Sequence, residues 1–187
     1  MATANHRALY SGSFDPNTLG HLDVLKRARG VFDEIVVAIG RNPDKEPLFA
    51  IAERVEMTRR LVAELLEAEP EGASVRVESY QGLTVDFARQ VGACALLRGI
   101  RHGSDLASEC QLAITNRQVA GVETVFIVAG ELHAYTSSSL IKQVAALGGD
   151  LDRLASMVPP IVLEALRAKR LDPHNPLGRL ARNAPEE

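Results

Sequence analysis

Apolar residues recur along this chain in two alternating rhythms. Five short, β-rich apolar runs occupy residues 8–10, 34–39, 74–78, 93–97 and 124–128. Between them, apolar positions return at helical spacing. Leu22, Leu25, Ala28 and Val31 mark 22–32, and Val55, Leu61, Val62, Leu65 and Leu66 mark 52–67. Two more such stretches cover 85–91 and 106–119. A continuous apolar strand needs cover on both faces, and helices lying between strands provide it. The alternation predicts an α/β fold, a doubly wound, five-stranded parallel sheet with right-handed crossovers. A further helix starts at the serine run and carries Leu140, Ile141, Val144 and Leu147 before Gly148-Gly149 stops it. Pro159-Pro160 opens a last helix to about Lys169. Beyond it, Pro173, Pro176 and Pro185 lie among scattered charges without an apolar period. One domain over 1–171 and a loose tail over 172–187 are expected, with deletion of the tail nearly neutral for stability.

Bulk composition narrows the function. A chain of 187 residues with 46% hydrophobic content can bury one core. The net charge of −3 excludes nucleic acid held by backbone electrostatics. Aromatic content of 4% without Trp excludes a base-stacking platform. No run of 18 apolar residues is present, so no membrane partner is expected. The first seven residues lack the apolar stretch of a secretory signal, which points to a cytoplasmic setting. Cys94 and Cys110 lie in apolar contexts and are expected as buried free thiols. No Cys/His spacing suggests a protein-held metal.

Tyr10-Ser11-Gly12-Ser13-Phe14-Asp15-Pro16-Asn17-Thr18-Leu19-Gly20-His21 separates the first strand from the first helix. Glycines, proline and small hydroxyls let this backbone approach a ligand closely. His21 then falls in the first helical turn, where free N–H groups and the helix dipole favour anions. No Gly-Lys-Ser/Thr follows, so this is not a Walker A loop, and GxGxxG is absent.

The other unusual polar residues also fall after strands. Arg41-Asn42-Pro43-Asp44-Lys45 follows the second, Tyr80-Gln81-Gly82-Leu83-Thr84 the third, and Arg98-Gly99-Ile100-Arg101 the fourth. Glu131 and the run Ser137-Ser138-Ser139 follow the fifth. In a doubly wound sheet, ligands bind outside the carboxyl ends of the strands. His21, Lys45, Arg98 and Arg101 would converge there in an otherwise acidic protein, favouring a polyanionic ligand. Taken singly, Lys45 reads as a solvated lysine, Glu109 as an exposed acid and the serines as a helix cap.

Thr18-Leu19-Gly20-His21 matches the TxGH form of the T/HxGH nucleotidyltransferase motif. With Ser13-Phe14-Asp15-Pro16, Lys45, Arg98-Gly99-Ile100-Arg101, Asp105, Glu109-Cys110-Gln111, Asn116-Arg117 and Ser137 to Lys142 in order, the chain resembles bacterial phosphopantetheine adenylyltransferases from about Leu9 to Leu166. The resemblance implies a Rossmann-like nucleotidyltransferase fold. It also implies transfer of AMP from ATP to 4′-phosphopantetheine, giving dephospho-coenzyme A and pyrophosphate. It assigns His21, Lys45 and Arg98 to catalysis. It assigns Ser13, Phe14, His21, Gly99, Ile100, Arg101, Glu109, His133, Ala134, Tyr135, Thr136, Ser137, Ser138 and Ser139 to ATP. Ser13, Lys45, Leu83, Thr84 and Arg98 fall to the acceptor, with Mg²⁺ carried mainly by ATP and water and a homohexameric assembly. Departures from the family pattern include Ser13 for a common Thr, Thr84 for a common Met, and Leu106-Ala107-Ser108 ahead of Glu109. No nucleophile or general base stands out, so catalysis is expected to be positioning plus charge stabilisation of an in-line displacement. A nucleotidyltransferase with another acceptor and a non-catalytic nucleotide sensor are the alternatives; the joint presence of His21, Lys45 and Arg98 weighs against the sensor.

Overall fold

The computed structural model describes residues 5–40, 46–172, 174 and 177. Its five strands are β1 (Arg7–Gly12), β2 (Glu34–Ile39), β3 (Ser74–Ser79), β4 (Ala95–Ile100) and β5 (Glu123–Val128). They form one parallel sheet in the order β3-β2-β1-β4-β5. Helices α1 (Leu19–Ala28), α2 (Ile51–Ala68), α3 (Thr84–Gln90) and α4 (Gly103–Ala120) make the crossovers. Helices α5 (Ser138–Ala146) and α6 (Pro160–Leu171) follow the sheet.

Side chains of a strand alternate between faces, and here each set has its own cover. Ala8, Tyr10, Ile35, Val37 and Ile39 pack with Val24 and Leu25 of α1 and Val62 of α2. Leu9, Val36, Ala38 and Leu96 pack with Val85, Phe87 and Ala88 of α3. Each buried Val, Leu or Ile side chain among these contributes about 1.5–3 kcal/mol by leaving water. This two-sided burial is why the central runs read as continuously apolar.

A second core lies apart from the sheet. Leu48, Phe49, Met57 and Leu61 meet Ile141 of α5, Val162 and Leu166 of α6, and Leu177. Leu177 is 3% exposed. Leu177 belongs to the stretch expected as a loose tail with little apolar surface to bury, and it packs into this core. Its partners come from three distant segments, which local periodicity could not show. Leu177→Ala should destabilise the fold by about 2 kcal/mol. In a chain of this size that lowers the melting temperature by roughly 5 °C. An unchanged melting curve would refute the contact.

Two other expectations change. β4 begins at Ala95 and runs through Arg98, Gly99 and Ile100, later than 93–97. Gly92 adopts a positive φ of 67°, and the Cys94 N–H bonds the Arg7 carbonyl, so these residues form the entry turn. The two cysteines are free, but neither is buried: Cys94 is exposed and Cys110 half-buried. Cys110 sits on α4, which has no fully buried residue, so apolar neighbours in sequence misled at both positions.

The sheet order reverses between β1 and β4, and there the sheet parts. β1 pairs β4 at Ala8–Ala95, Leu9–Leu96 and Tyr10–Leu97, and its pairing goes no further. β4 continues along β5 to Ile100 and Val128. The Arg98 Nη1 spans the gap and donates to the Ser11 carbonyl at 2.8 Å. A crevice opens at this switch point, as doubly wound folds require for a ligand.

Candidate active site

The crevice is a cavity of about 340 Å³ lined by the β1–α1 turn, the end of β4, Glu109 of α4 and the start of α5. The turn is shaped by its own residues. Phe14 has a positive φ of 46°, an unusual backbone state that persists where packing over-determines it. Its ring meets Tyr10 edge-on at 5.3 Å and His21 at 5.1 Å between centroids. Gly20 allows the closest approach: a Cβ there would lie 2.4 Å from Thr136 Oγ1. Gly99 is similar, with Val24 Cγ2 at 2.8 Å from such a Cβ. Only glycine lets α1, β4 and the segment before α5 come together.

Thr18 caps α1, accepting the His21 N–H on its hydroxyl at 3.2 Å. In return the Thr18 N–H donates to His21 Nδ1 at 3.0 Å. An amide can only donate, so Nδ1 must accept, and in the neutral ring the hydrogen resides on Nε2. Desolvation in the cavity, then the charges of Arg101 and Arg98, lower the His21 pKa to about 4. At neutral pH the cavity therefore presents an uncharged imidazole with one fixed N–H donor. As pH falls from about 6.5 to about 4, the unfolded chain takes a proton that the folded chain refuses. This group's contribution to native stability is thus present above that window and declines through it.

Both arginines are anchored. Glu109 accepts Arg98 Nε at 2.7 Å and Nη2 at 2.6 Å, a two-pronged ion pair. Burial would lower the Arg98 pKa, but hydrogen bonds and charge from Glu109 outweigh it and hold the guanidinium above its ordinary value. Arg101 pairs in the same way with Asp105 and donates Nη1 to the Thr136 carbonyl at 2.6 Å. Burial would raise the Asp105 carboxyl, yet the Arg101 hydrogen bonds and charge keep it below the usual range. Anchoring fixes direction and leaves each fork with unused N–H groups for an anion.

Ser137 is the N-cap of α5, accepting the Leu140 N–H at 3.5 Å. Ser138 Oγ donates to the Pro16 carbonyl at 2.8 Å, which ties α5 to the β1–α1 turn. The N-terminal ends of α1 and α5 thus face one cavity from two sides, and both dipoles favour a polyanion there.

Of the residues singled out from sequence, Ser13, Phe14, His21, Arg98, Gly99, Arg101, Glu109, Thr136, Ser137, Ser138 and Ser139 line this cavity. Ile100 is 7% exposed and belongs to the core. His133 and Ala134 are not among the lining residues; they close a short 3₁₀ turn whose His133 carbonyl accepts the Thr136 hydroxyl at 2.8 Å. Tyr135 and Leu83 stand out in solvent, and Thr84 begins α3 with its hydroxyl 2.7 Å from Tyr80 Oη. Lys45 lies outside the described residues. Arg98 is a residue of β4 rather than of a loop after it, and its side chain lines the cavity from within the strand.

The sequence reading missed Arg54, on α2 and 3% exposed. It donates to the carbonyls of Ser13 at 2.7 Å, Gly40 at 3.0 Å and Phe49 at 3.0 Å. The signal was present: Arg54, Thr58, Leu61 and Leu65 share helical spacing, so a charge sits on an apolar stripe.

Comparisons with known proteins agree with this architecture. The family model described as cytidylyltransferase-like matches residues 9–144. Nicotinic acid mononucleotide adenylyltransferase of Plasmodium falciparum, solved with NaAD, superposes with a TM-score of 0.62 over 90% of this chain and 97% of its own, at 17% identity. That likeness shows the fold alone. Sheet, turn and cavity together define a nucleotidyltransferase of the cytidylyltransferase-like class. Phosphopantetheine adenylyltransferase of Rhodopirellula baltica is 46% identical over 89% of both chains. Its Agrobacterium fabrum counterpart is 48% identical over 87% of this chain and 96% of its own. The chain belongs to the phosphopantetheine adenylyltransferase family.

Proposed function

We propose that the chain transfers AMP from ATP to 4′-phosphopantetheine, releasing pyrophosphate and forming dephospho-coenzyme A, by direct in-line displacement at the α-phosphorus. The observation that carries this reading is the convergence in one cavity of a fixed, neutral His21 donor, two anchored arginines and two helix N-termini. The acceptor phosphate is already an oxyanion and needs no general base. An oxygen of that phosphate bonds to the α-phosphorus as the bond to the bridging oxygen breaks, and the electron pair leaves with pyrophosphate. Charge grows on the non-bridging α-oxygens, where the His21 Nε2–H would meet it. Arg98 and Lys45 hold the acceptor phosphate in this reading. The α5 N-terminus with Ser137, Ser138 and Ser139 cradles the triphosphate, and Gly99, Arg101, Glu109 and residues 133–136 complete the nucleotide side. Leu83 and Thr84 border the pantetheine arm.

Magnesium would arrive with the triphosphate and neutralise part of its charge. Among the described residues no group of three His, Cys, Asp or Glu side chains could cage a cation. Glu109, the acid lining the cavity, is engaged by Arg98. The protein side of the site therefore suits an ion held by phosphate oxygens and water.

The direct test is pyrophosphate release from ATP, magnesium and 4′-phosphopantetheine, with nicotinamide mononucleotide and, with CTP, glycerol 3-phosphate as rival acceptors. Release with 4′-phosphopantetheine alone is expected; preference for another acceptor would overturn the reading.

Assembly belongs to the same proposal. Leu106, Leu112, Ile114 and Val119 of α4 are exposed, an apolar burden that contact with further copies would cover. A homohexamer is the expected mass by light scattering. No described helix is long and apolar enough to cross a membrane, and a cytoplasmic setting completes the proposal.

A further inference from the structure

The connection between β5 and α5 passes along α1, and a carboxylate of that helix pins its start. The Ala129 N–H still donates to the Ile100 carbonyl of β4 at 2.8 Å. One residue on, the Gly130 N–H donates to Asp23 Oδ2 at 2.7 Å. Arg27, one helical turn beyond Asp23, donates Nε to both of its oxygens at 3.1 and 3.0 Å, which fixes the direction of the carboxylate. Among the described residues, the hydrogen bonds of the next six residues turn inward. The His133 N–H donates to the Gly130 carbonyl, the Ala134 N–H to the Glu131 carbonyl, and the Thr136 N–H and hydroxyl to the His133 carbonyl. The segment meets the body again where the Thr136 carbonyl accepts Arg101 Nη1 at 2.6 Å. Leu132 and Tyr135 are exposed, so packing holds little of it in between. Asp23 does not line the cavity, whereas Thr136, Ser137, Ser138 and Ser139 at the far end of the segment do.

We propose that Asp23 is a positioning residue for the nucleotide: its bond to the Gly130 N–H sets where the 130–136 segment lies on α1, and so where Thr136 and the α5 N-terminus meet the triphosphate. This placement rests on the reading of the α5 N-terminus as the triphosphate cradle. A carboxylate suits the task because a charged acceptor holds an amide more strongly than a neutral one. The sign of the effect separates a strap from a field. An acid two residues from His21 repels a polyanion, so loss of its charge alone would tighten ATP. Loss of the strap weakens it instead. The acceptor side is spared, because Arg98 is held by Glu109 and the Ser11 carbonyl.

The test is Asp23→Ala and Asp23→Asn, with Asp23→Ala repeated in a Gly130→Pro background. Gly130 has φ −61° and ψ 153°, which proline adopts, and proline removes the N–H that Asp23 receives. The atom nearest an added Cβ there is the flexible end of Arg27, 2.9 Å away. Each protein is checked by its melting curve and titrated with ATP and with 4′-phosphopantetheine. Asp23→Ala should weaken ATP at least about tenfold, the scale of one hydrogen bond to a charged group, and 4′-phosphopantetheine less than about threefold. Asp23→Asn keeps an oxygen for the amide and should lose less than about threefold for ATP. In the Gly130→Pro background, Asp23→Ala should also cost less than about threefold, because the bond is already gone. Unchanged or tighter ATP, equal losses for the two ligands, an Asn variant as weak as Ala, or the full loss in the proline background would each overturn the strap. If Asp23→Ala does not fold, Gly130→Pro alone must show the same selective loss of ATP, and a normal ATP affinity there refutes it. If wild type binds AMP as tightly as ATP, the triphosphate cradle fails instead. The strap is then judged by hydrogen exchange at the Thr136 and Leu140 amides. Faster exchange in Asp23→Ala supports it, and unchanged exchange refutes it.

Discussion

His21→Ala should lower kcat by about 10²–10³-fold while ATP affinity changes by only several-fold. Loss of a preorganised donor to a developing oxyanion costs that much, because the interaction strengthens only in the transition state. The geometry sharpens the expectation. Thr18 fixes Nδ1 as an acceptor, so the donor is Nε2–H, and the ring stays neutral down to about pH 4. Substrate phosphates titrate near neutrality, so the informative quantity is the ratio of wild-type to His21→Ala kcat/KM. That ratio should hold constant from pH 8 to pH 5. A ratio that climbs as pH falls through 6.5 would mean that imidazolium is the active form. A raised KM for ATP with normal kcat would mean that His21 only binds.

Arg98→Ala should weaken 4′-phosphopantetheine about 10- to 100-fold, the span of about 1.5–3 kcal/mol for hydrogen bonds to a charged group. Dephosphorylated pantetheine should lose less than threefold. The substitution also strips Glu109 of its partner, so Arg98→Ala with Glu109→Gln separates the two effects. If relief of the unpaired carboxylate restores binding, the loss came from Glu109. Calorimetry showing equal losses for the phosphorylated and unphosphorylated ligands would remove Arg98 from the acceptor site.

Much of this molecule was legible before any coordinates. β2 spans the residues its apolar run marked, because a strand buried on both faces has no room for polar positions. The β1–α1 turn was legible for a different reason. Thr18 as a cap and His21 three residues on are local chemistry, written in consecutive residues. α1 shows the limit even so. Its helix begins at Leu19, before the apolar period starts at Leu22, and ends by Arg29.

The alternation of five parallel strands with helices along the chain, and the clustering of unusual polar residues after the strands, were determined by the sequence alone, since periodicity and short motifs act over a few residues; the strand order β3-β2-β1-β4-β5 was not. The tertiary structure decided the rest. Only the chain's return brings Arg98 across the parted strands to Ser11, 87 residues away, and Ser138 to Pro16, 122 residues away. Only packing draws Leu177 into the second core. And although helical spacing marks Arg54 as a charge on an apolar stripe, only the tertiary structure shows why α2 carries it there: a charge inside a protein is stable where several carbonyls meet, and here they come from three separate turns.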